Sequence, residues 1–229
     1  MDTVIKGELL EAGATVVGIA ALKGFLGQEI AHLETAVSIG VDRKLNEDTI
    51  SLLVALQKKT ARYLKAEGYR YLCIPPDSDR ITDTFVSKLY PSFTHKMAAT
   101  SSGLGWIGRN GLLINPDHGP RLSLVTVLTN APLHTDTPTE FSRCGDCGLC
   151  WEFCPSEAIT GEDWSRYEPF VELIRLDRCR SHKERSKTLS GKPNCGLCVN
   201  ICPHGRKSPS EKKENNHRDT VALRRPVNL

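Results

Sequence analysis

Eight of the nine cysteines in this 229-residue chain lie between positions 144 and 202, and the ninth, Cys73, stands apart. Four of the eight follow the pattern Cys-x2-Cys-x2-Cys-x3-Cys-Pro over residues 144–155. Three more follow Cys-x2-Cys-x3-Cys-Pro over residues 195–203, and Cys179 lies between the two motifs. Cysteines in such numbers bind zinc or iron–sulfur clusters, form disulfides or serve as reactive thiols.

The spacing favours iron–sulfur clusters. A tetrahedral zinc site usually takes pairs of cysteines from two separate knuckles, and consecutive short spacers do not divide into such pairs. They match the bacterial ferredoxin run, whose fourth cysteine binds the second of two clusters. We therefore predict one [4Fe–4S] cluster on Cys144, Cys147, Cys150 and Cys202, and a second on Cys154, Cys179, Cys195 and Cys198. Paired zinc sites and a disulfide scaffold are the alternatives.

Two clusters with exchanged ligands would make residues 141–207 a path for single electrons. Between the motifs, residues 178–194 are rich in Lys, Arg and Ser, which predicts a surface loop. Its charge is typical of a solvated face, and a docking patch for an acidic electron donor is the alternative. Cys73 follows a tyrosine-rich apolar stretch, and we interpret it as a buried strand cysteine.

The first 140 residues have the pattern of an α/β domain. Apolar periodicity predicts helices over 3–12, 46–67, 81–90 and 94–102, and strands over 15–22, 35–41, 69–74, 111–114 and 121–129. Asn46 is the expected N-cap of the second helix, because acidic residues follow it where the helix dipole favours them. Residues 132–139 are the expected linker to the cysteine region.

A glycine-rich segment over residues 103–108 satisfies the dinucleotide fingerprint G-x-G-x-x-G. It follows a predicted helix and precedes a predicted strand, which is the reverse of the context that binds dinucleotides. This reversal argues against an NAD-type site. Three glycines expose backbone N–H groups and let a ligand or another part of the chain approach closely. A purely structural turn is the alternative.

The overall charge is close to balanced, with 30 Lys and Arg against 27 Asp and Glu and a net charge of +3. This balance does not indicate nucleic-acid binding, although it permits a local basic patch. The longest early apolar run, residues 15–22, is far shorter than the ~20 residues that span a bilayer. Acidic residues near the N-terminus also argue against a secretory signal. We expect a cytoplasmic protein without a membrane partner.

Residues 97–116 (MAATSSGLGWIGRNGLLINP), together with 122–133 and the cysteine region, resemble the epoxyqueuosine reductases, which are relatives of the reductive dehalogenases. The resemblance is close over roughly 92–205. It implies an α/β fold with a nitroreductase-like corrinoid-binding domain (1–140), a bacterial-ferredoxin-like double [4Fe–4S] domain (141–207) and a polar tail (208–229). It implies cobalamin beside the two clusters, and the candidate corrinoid contacts are Gly103, Leu104, Gly105, Trp106, Ile107, Gly108, Arg109, Asn110 and Asn115.

Two features depart from the pattern of these enzymes. The family places a catalytic Asp about seventeen residues before the Trp of the glycine-rich segment, and Leu89 occupies that position here, beside Tyr90. Reductive dehalogenases use a Tyr as proton donor, but we interpret Tyr90 as a core aromatic and leave the catalytic residue unassigned. The tRNA-modifying enzymes also carry a C-terminal helical-repeat extension, whereas this sequence ends at Leu229. We therefore expect that tRNA is not a partner.

The resemblance implies a corrinoid-linked iron–sulfur redox protein that passes low-potential electrons through two clusters to a cobalamin, for a reductive reaction on an unassigned substrate. Its expected partners are an electron donor such as a ferredoxin or flavodoxin, and a corrinoid protein. One alternative is a non-catalytic, ferredoxin-like electron carrier that reduces such a partner. A flavin in the α/β domain is a further alternative, which rests on fold analogy alone. His95 is the histidine nearest the glycine-rich segment, and we interpret it as structural rather than as a corrinoid ligand.

Overall fold

The computed structural model describes residues 2–76, 93–168, 171–190 and 195–206. Within these ranges the helices are α1 (Asp2–Glu11), α2 (Glu47–Ala66), α3 (His95–Ser101), α4 (Leu149–Glu152), α5 (Leu176–Ser190) and α6 (Leu197–Asn200). The strands are β1 (Val16–Ala21), β2 (Thr35–Val41), β3 (Tyr71–Ile74), β4 (Trp106–Ile107), β5 (Leu113–Ile114) and β6 (Ser123–Thr129). The predicted α/β class is confirmed.

The first half of the chain is built around a four-stranded antiparallel sheet with the order β1-β2-β6-β3. Every residue of β2 is buried, because helices cover both faces of the sheet. Alternate residues of a strand point to opposite faces. Val37 and Ile39 accordingly pack with α1 and α2, whereas Ala36 packs with α3.

Helix α2 begins where the sequence predicts. The side chain of Asn46 accepts a hydrogen bond from the backbone N–H of Thr49 over 2.9 Å, which satisfies one of the unpaired donors of the first turn. Leu53, Leu56 and Leu64 lie fully buried against the sheet. The amphipathic pattern of this segment therefore both forms the helix and orients it.

A third apolar cluster joins the glycine-rich segment to the cysteine region. Strands β4 and β5 form a small hairpin in which Trp106 pairs with Ile114. The hairpin packs with Trp164, Leu173 and Cys202, so the cysteine motifs rest directly on it. The relative position of the cysteines is therefore set by packing between segments far apart in the sequence.

The segment after β6 crosses the sheet without regular structure. The carboxylate of Asp136 accepts hydrogen bonds from Lys6 Nζ over 2.6 Å and from the backbone N–H of Ile19 over 2.8 Å. These contacts attach the expected linker to α1 and β1. The domain boundaries at 140 and 207 stay a prediction.

One structural prediction is wrong. Residues 178–190 of the predicted surface loop are helical instead, because α5 spans Leu176–Ser190, and residues 191–194 lie outside the described residues. Lys, Arg and Glu are good helix formers, and a charged segment can form a solvated helix without an apolar stripe. The predicted helix over 81–90, Leu89, Tyr90 and the tail over 208–229 lie outside the described residues. Across the described ranges, no helix has the length and apolar character needed to cross a membrane.

Candidate functional site

The cysteine motifs are held by two short helices that pack against each other, α4 and α6. Cys150 lies on α4 and Cys154 follows its end, while Cys198 lies on α6 and Cys202 follows its end. The two cysteines of each pair are four residues apart, but each helix ends two residues after the first of them. The last cysteine of each motif therefore lies beyond the helix and can join the opposite motif.

A small cavity, called here the first cavity, is lined by one set of four cysteines, which are Cys144, Cys147, Cys150 and Cys202. Its other walls come from the hairpin, through Gly108, Arg109, Asn110 and Ile114, and from Leu149, Pro203 and His204. Cys202 is buried, and the other three are half-buried. The structure thus brings together the cysteines that the spacing predicts for the first cluster.

A second and much larger cavity, of about 1460 Å³, adjoins the first one, and we call it the large cavity. It is lined by the second set of cysteines, which are Cys154, Cys179, Cys195 and Cys198, and Cys150 lies on both cavities. Other parts of its wall come from α3, from residues 42–45 and 120–123, from the hairpin, from the segments over residues 155–166 and 171–174 and from the first turns of α5. The volume exceeds the 300–1,000 Å³ that is typical of small-molecule pockets.

The thiols of the two sets interact electrostatically. Burial, followed by the charges of Cys144, Cys147, Cys198 and Cys202, raises the pKa of Cys150 to about 12. Burial, followed by the charges of Cys179, Cys195 and Cys154, also raises the pKa of Cys198. The thiolate is the form that binds a metal, and a thiol loses its proton outright on coordination. Iron cations in the cavities would therefore offset the mutual repulsion of these thiolates.

The cysteines surround space rather than one point. Within the described ranges, no three His, Cys, Asp or Glu side chains converge closely enough to hold a single metal ion. Each set of four instead lines the wall of a cavity. The donor set, four sulfur ligands around a largely apolar space, fits a cubane cluster.

Cys154 differs from the other cysteines in its hydrogen bonds. Its sulfur accepts a hydrogen bond from the backbone N–H of Ala158 over 3.3 Å and lies 3.6 Å from the hydroxyl of Ser156. Although burial acts in the opposite direction, these hydrogen bonds lower the pKa of Cys154. The thiolate therefore forms more readily here than in a cysteine without these hydrogen bonds.

The nine candidate corrinoid contacts do not all line the same cavity. Ile107 and Asn110 line the large cavity, and Gly108 and Arg109 line the first cavity together with Asn110. Five others line neither cavity: Gly103, Leu104, Gly105, Trp106 and Asn115. The structure therefore does not bring these five residues to the space that could hold a large cofactor.

Internal contacts explain the position of those five residues. A Cβ atom at Gly103 would lie 2.5 Å from the carbonyl oxygen of Thr137, and one at Gly105 would collide with that of Ile114. Asn115 Nδ2 donates a hydrogen bond to the carbonyl of Leu104 over 2.7 Å. The glycines therefore permit close packing of the chain on itself, which is the structural alternative stated above.

The other singled-out side chains also have structural contacts. His95 Nε2 lies 2.8 Å from the carbonyl oxygen of Pro75, which can only accept, and Nδ1 lies 2.8 Å from the hydroxyl of Thr126. Both ring nitrogens of His95 thus have partners within the fold, and its interpretation as structural stays a prediction. Cys73 lies on strand β3 as expected but is half-buried rather than buried, and burial raises the pKa of its thiol.

Sequence reasoning missed the cationic side chains around the large cavity. They come from separate elements and share no spacing, and they are Arg43, Lys44, Lys96, Arg121, Arg166 and Lys183. Lys96 is an example: its backbone lies on α3, and its Nζ donates a hydrogen bond to the carbonyl of Gly111 over 2.7 Å. Only the tertiary structure brings such residues to one wall.

Comparisons with known proteins agree with two iron–sulfur clusters in the cysteine region. Residues 143–205 match the model of a 4Fe-4S double cluster binding domain. An epoxyqueuosine reductase of Listeria monocytogenes is 27% identical over 185 residues, which are 75% of this chain and 48% of that protein. One of Synechococcus sp. (strain RCC307) is 39% identical over 47% of this chain and 33% of its own length. The chain thus spans half or less of the curated relatives it matches.

Solved structures share the fold over most of the chain. The epoxyqueuosine reductase of Streptococcus thermophilus has a TM-score of 0.63 and 19% identity, over 91% of this chain and 67% of that chain. A catabolic reductive dehalogenase has the same TM-score and identity, over 92% of this chain and 32% of that chain.

The comparisons also overturn one expectation. An epoxyqueuosine reductase with a TM-score of 0.61 and 18% identity, over 90% of this chain and 66% of that chain, was solved with an epoxyqueuosine-modified stem loop of tRNA-Tyr. The expectation that tRNA is not a partner is therefore wrong. It rested on the residue at position 89 and on the end of the sequence, and neither is informative about a surface that binds RNA. The double-cluster domain, the curated relatives and the shared fold together support the resemblance to the epoxyqueuosine reductase and reductive dehalogenase-like family.

Proposed function

We propose that this chain is an iron–sulfur redox protein that passes single electrons through two [4Fe–4S] clusters to a cobalamin, for a reductive reaction. The observation that carries the proposal is the division of eight cysteines into two sets of four, on two adjoining cavities. The first set is the ligand set of one cluster, and the second set is that of the other.

The position of Cys150 supports electron transfer between the clusters. Its side chain lies on both cavities, and the charge of Cys198 in the second set acts on it. Clusters bound there would be separated by little more than their own ligands. The large cavity continues from the second set toward α3, so that cluster would lie beside the space for the cofactor.

The large cavity supports a cofactor of cobalamin size. A solved relative with a TM-score of 0.63 is described by its B12-dependent dehalogenation. The cavity walls here combine apolar side chains, such as Met97 and Leu122, with cations such as Arg43 and Arg121. Such walls suit a flat ring system with amide side chains and a phosphate. Cobalamin, when bound, supplies the metal centre that transfers electrons to the substrate.

The chain itself would orient the cofactor and keep water away. The Asp42 carboxylate, on the cavity wall, lies 2.8 Å from His118 Nδ1 and 3.4 Å from Arg121 Nε. These contacts hold the loops at 42–45 and 120–123 together at the rim. Trp164 and Leu173 close the opposite wall with buried apolar side chains.

The test is the metal content of the full chain, purified without oxygen and then offered cobalamin. We expect about eight irons and eight sulfides per chain, with about one cobalt retained after gel filtration. About eight irons without retained cobalamin would favour an electron carrier instead. Zinc in place of iron would reject the proposal.

The substrate is tested on the protein that retains both groups. An epoxyqueuosine-modified tRNA stem loop and a bromophenol represent the two branches of the family. Reduction of one of them, measured by mass spectrometry under dithionite, would assign the substrate class. Reduction of neither would leave only the electron-carrier function.

A further inference from the structure

Arg109 occupies the wall of the first cavity with its side chain only 15% exposed. Its Nη1 donates a hydrogen bond to the backbone carbonyl of Cys147 over 2.8 Å, and its Nη2 pairs with Asp163 Oδ2 over 2.8 Å. The guanidinium therefore connects the loop of the first cysteine set to the segment that follows α4.

The third nitrogen of this guanidinium, Nε, is buried and carries an N–H without a hydrogen-bond partner among the described residues. Buried N–H groups are almost always paired, because an unpaired one loses its hydration without compensation. Thiolate and sulfide are acceptors that a cluster in this cavity would supply.

Arg109 is also the only residue with a permanent charge among the described residues lining the first cavity. A cubane held by four thiolates is anionic, and accepting one electron makes it more so. Reduction potentials of such clusters depend on net charge, on hydrogen bonds to sulfur and on burial. A fixed cation at the wall stabilises the reduced form more than the oxidised form, and the effect is larger in a partly buried site.

We propose that Arg109 sets the reduction potential of the cluster in the first cavity, which makes that cluster easier to reduce while holding the Cys147 loop in place. This inference rests on the proposed function, since it requires a cluster on the first cysteine set. It reassigns a residue that the resemblance suggested for corrinoid binding to the iron–sulfur part of the site.

The test is an EPR-monitored redox titration of the full chain, poised with dithionite, which supplies one electron to each cluster. The Arg109→Gln variant removes the charge, and Arg109→Lys keeps it. We expect Arg109→Gln to lower the reduction equilibrium constant of one of the two clusters at least tenfold, or about 59 mV for a one-electron couple. The other cluster should be unchanged, and Arg109→Lys should stay close to the unmodified protein.

Two further variants make the result specific. Asp163→Asn removes the carboxylate that pairs with Arg109 and should raise the potential of the same cluster. Its effect should be smaller, because the Asp163 side chain is 52% exposed. Lys6→Gln is the matched control, since it removes a half-buried cation paired with Asp136 that lines neither cavity.

Iron and sulfide content shows whether a negative result contradicts the role of Arg109 or the proposed function itself. Variants that hold about eight irons but show unshifted potentials would overturn the role of Arg109 and leave the proposed function intact. A protein without clusters in its unmodified form would overturn the proposed function itself. If Arg109→Gln cannot assemble clusters, an unchanged potential in Asp163→Asn would still reject the proposal.

Discussion

Asn110 donates a hydrogen bond from Nδ2 to the backbone carbonyl of Cys198 over 3.2 Å, across 88 positions of the sequence. Its neighbour Arg109 makes the corresponding contact with the carbonyl of Cys147. Two adjacent residues directly after the glycine-rich segment therefore hold the Cys147 loop of one cysteine set and helix α6 of the other. The hairpin that carries them is a common support for both candidate clusters.

Replacement of Asn110 by Ala should weaken the attachment of helix α6, which carries Cys198, to the hairpin. The change removes the bond to Cys198 and also the bond that Asn110 Oδ1 accepts from the N–H of Leu112. We expect a loss of about 1–3 kcal/mol in stability and an earlier thermal loss of one cluster, followed by visible absorbance. Asn130→Ala is the control, because Asn130 also accepts a backbone hydrogen bond, from Arg70, but is exposed. Equal losses in both variants would contradict the assigned role.

Replacement of Cys179 by Ala tests the one predicted ligand that lies outside both cysteine motifs. Cys179 lies on α5 and lines the large cavity beside Cys195 and Cys198. We expect the iron content to fall from about eight to about four per chain, with one of two EPR signals lost. Cys73→Ala should change neither, since Cys73 lies on β3 and lines neither cavity. Unchanged iron and EPR spectra in Cys179→Ala would remove this residue from the ligand set.

Replacement of Gly105 by Ala tests the structural role of the glycine-rich segment. The added Cβ would collide with the carbonyl oxygen of Ile114, so the hairpin must shift. We expect a loss of about 2 kcal/mol or more, measured by denaturation of the full chain and by the emission of its tryptophans. Loss of cobalamin in this variant would accompany local unfolding and would not identify a corrinoid contact.

Gly7 provides the matched control for that substitution. It lies within α1, and a Cβ there would meet no atom within 4 Å. Gly7→Ala should therefore be neutral or should stabilise the chain by up to about 1 kcal/mol. Similar behaviour of the two variants would show that Gly105 has no special packing role.

Filling the large cavity tests where the cofactor binds. Met97 lies on α3 and lines the cavity, and a Trp at this position would occupy part of the space. We expect Met97→Trp to weaken cobalamin binding at least tenfold, or about 1.4 kcal/mol, with the iron content retained. Leu10→Trp on α1 is the control, because Leu10 is 47% exposed and does not line this cavity. Full cobalamin affinity in Met97→Trp would move the cofactor elsewhere.

Local sequence signals predicted much of the fold because they act within a few residues. The side-chain cap of Asn46 and the apolar face of α2 are decided within one or two helical turns. The strands β1, β2, β3 and β6 follow from short apolar runs bounded by turn residues. The prediction for α5 failed because a helix with a charged surface and no buried apolar stripe looks, in one dimension, like a solvated loop.

In the candidate site, too, some features follow from local sequence and others only from the tertiary structure. Cysteine spacing predicted seven members of the two sets, because the x2 and x3 steps act through a single short helix each, and Cys179 was assigned as the remaining cysteine of the region. The partners of the glycine-rich segment depended on the tertiary structure, since Arg109 and Asn110 reach carbonyls of residues 147 and 198. Packing of the hairpin against Trp164 and Cys202 brings those carbonyls within hydrogen-bond distance, and no local pattern encodes that approach. The sequence by itself thus determined which metal chemistry the chain supports, and the tertiary structure decided which residues surround it.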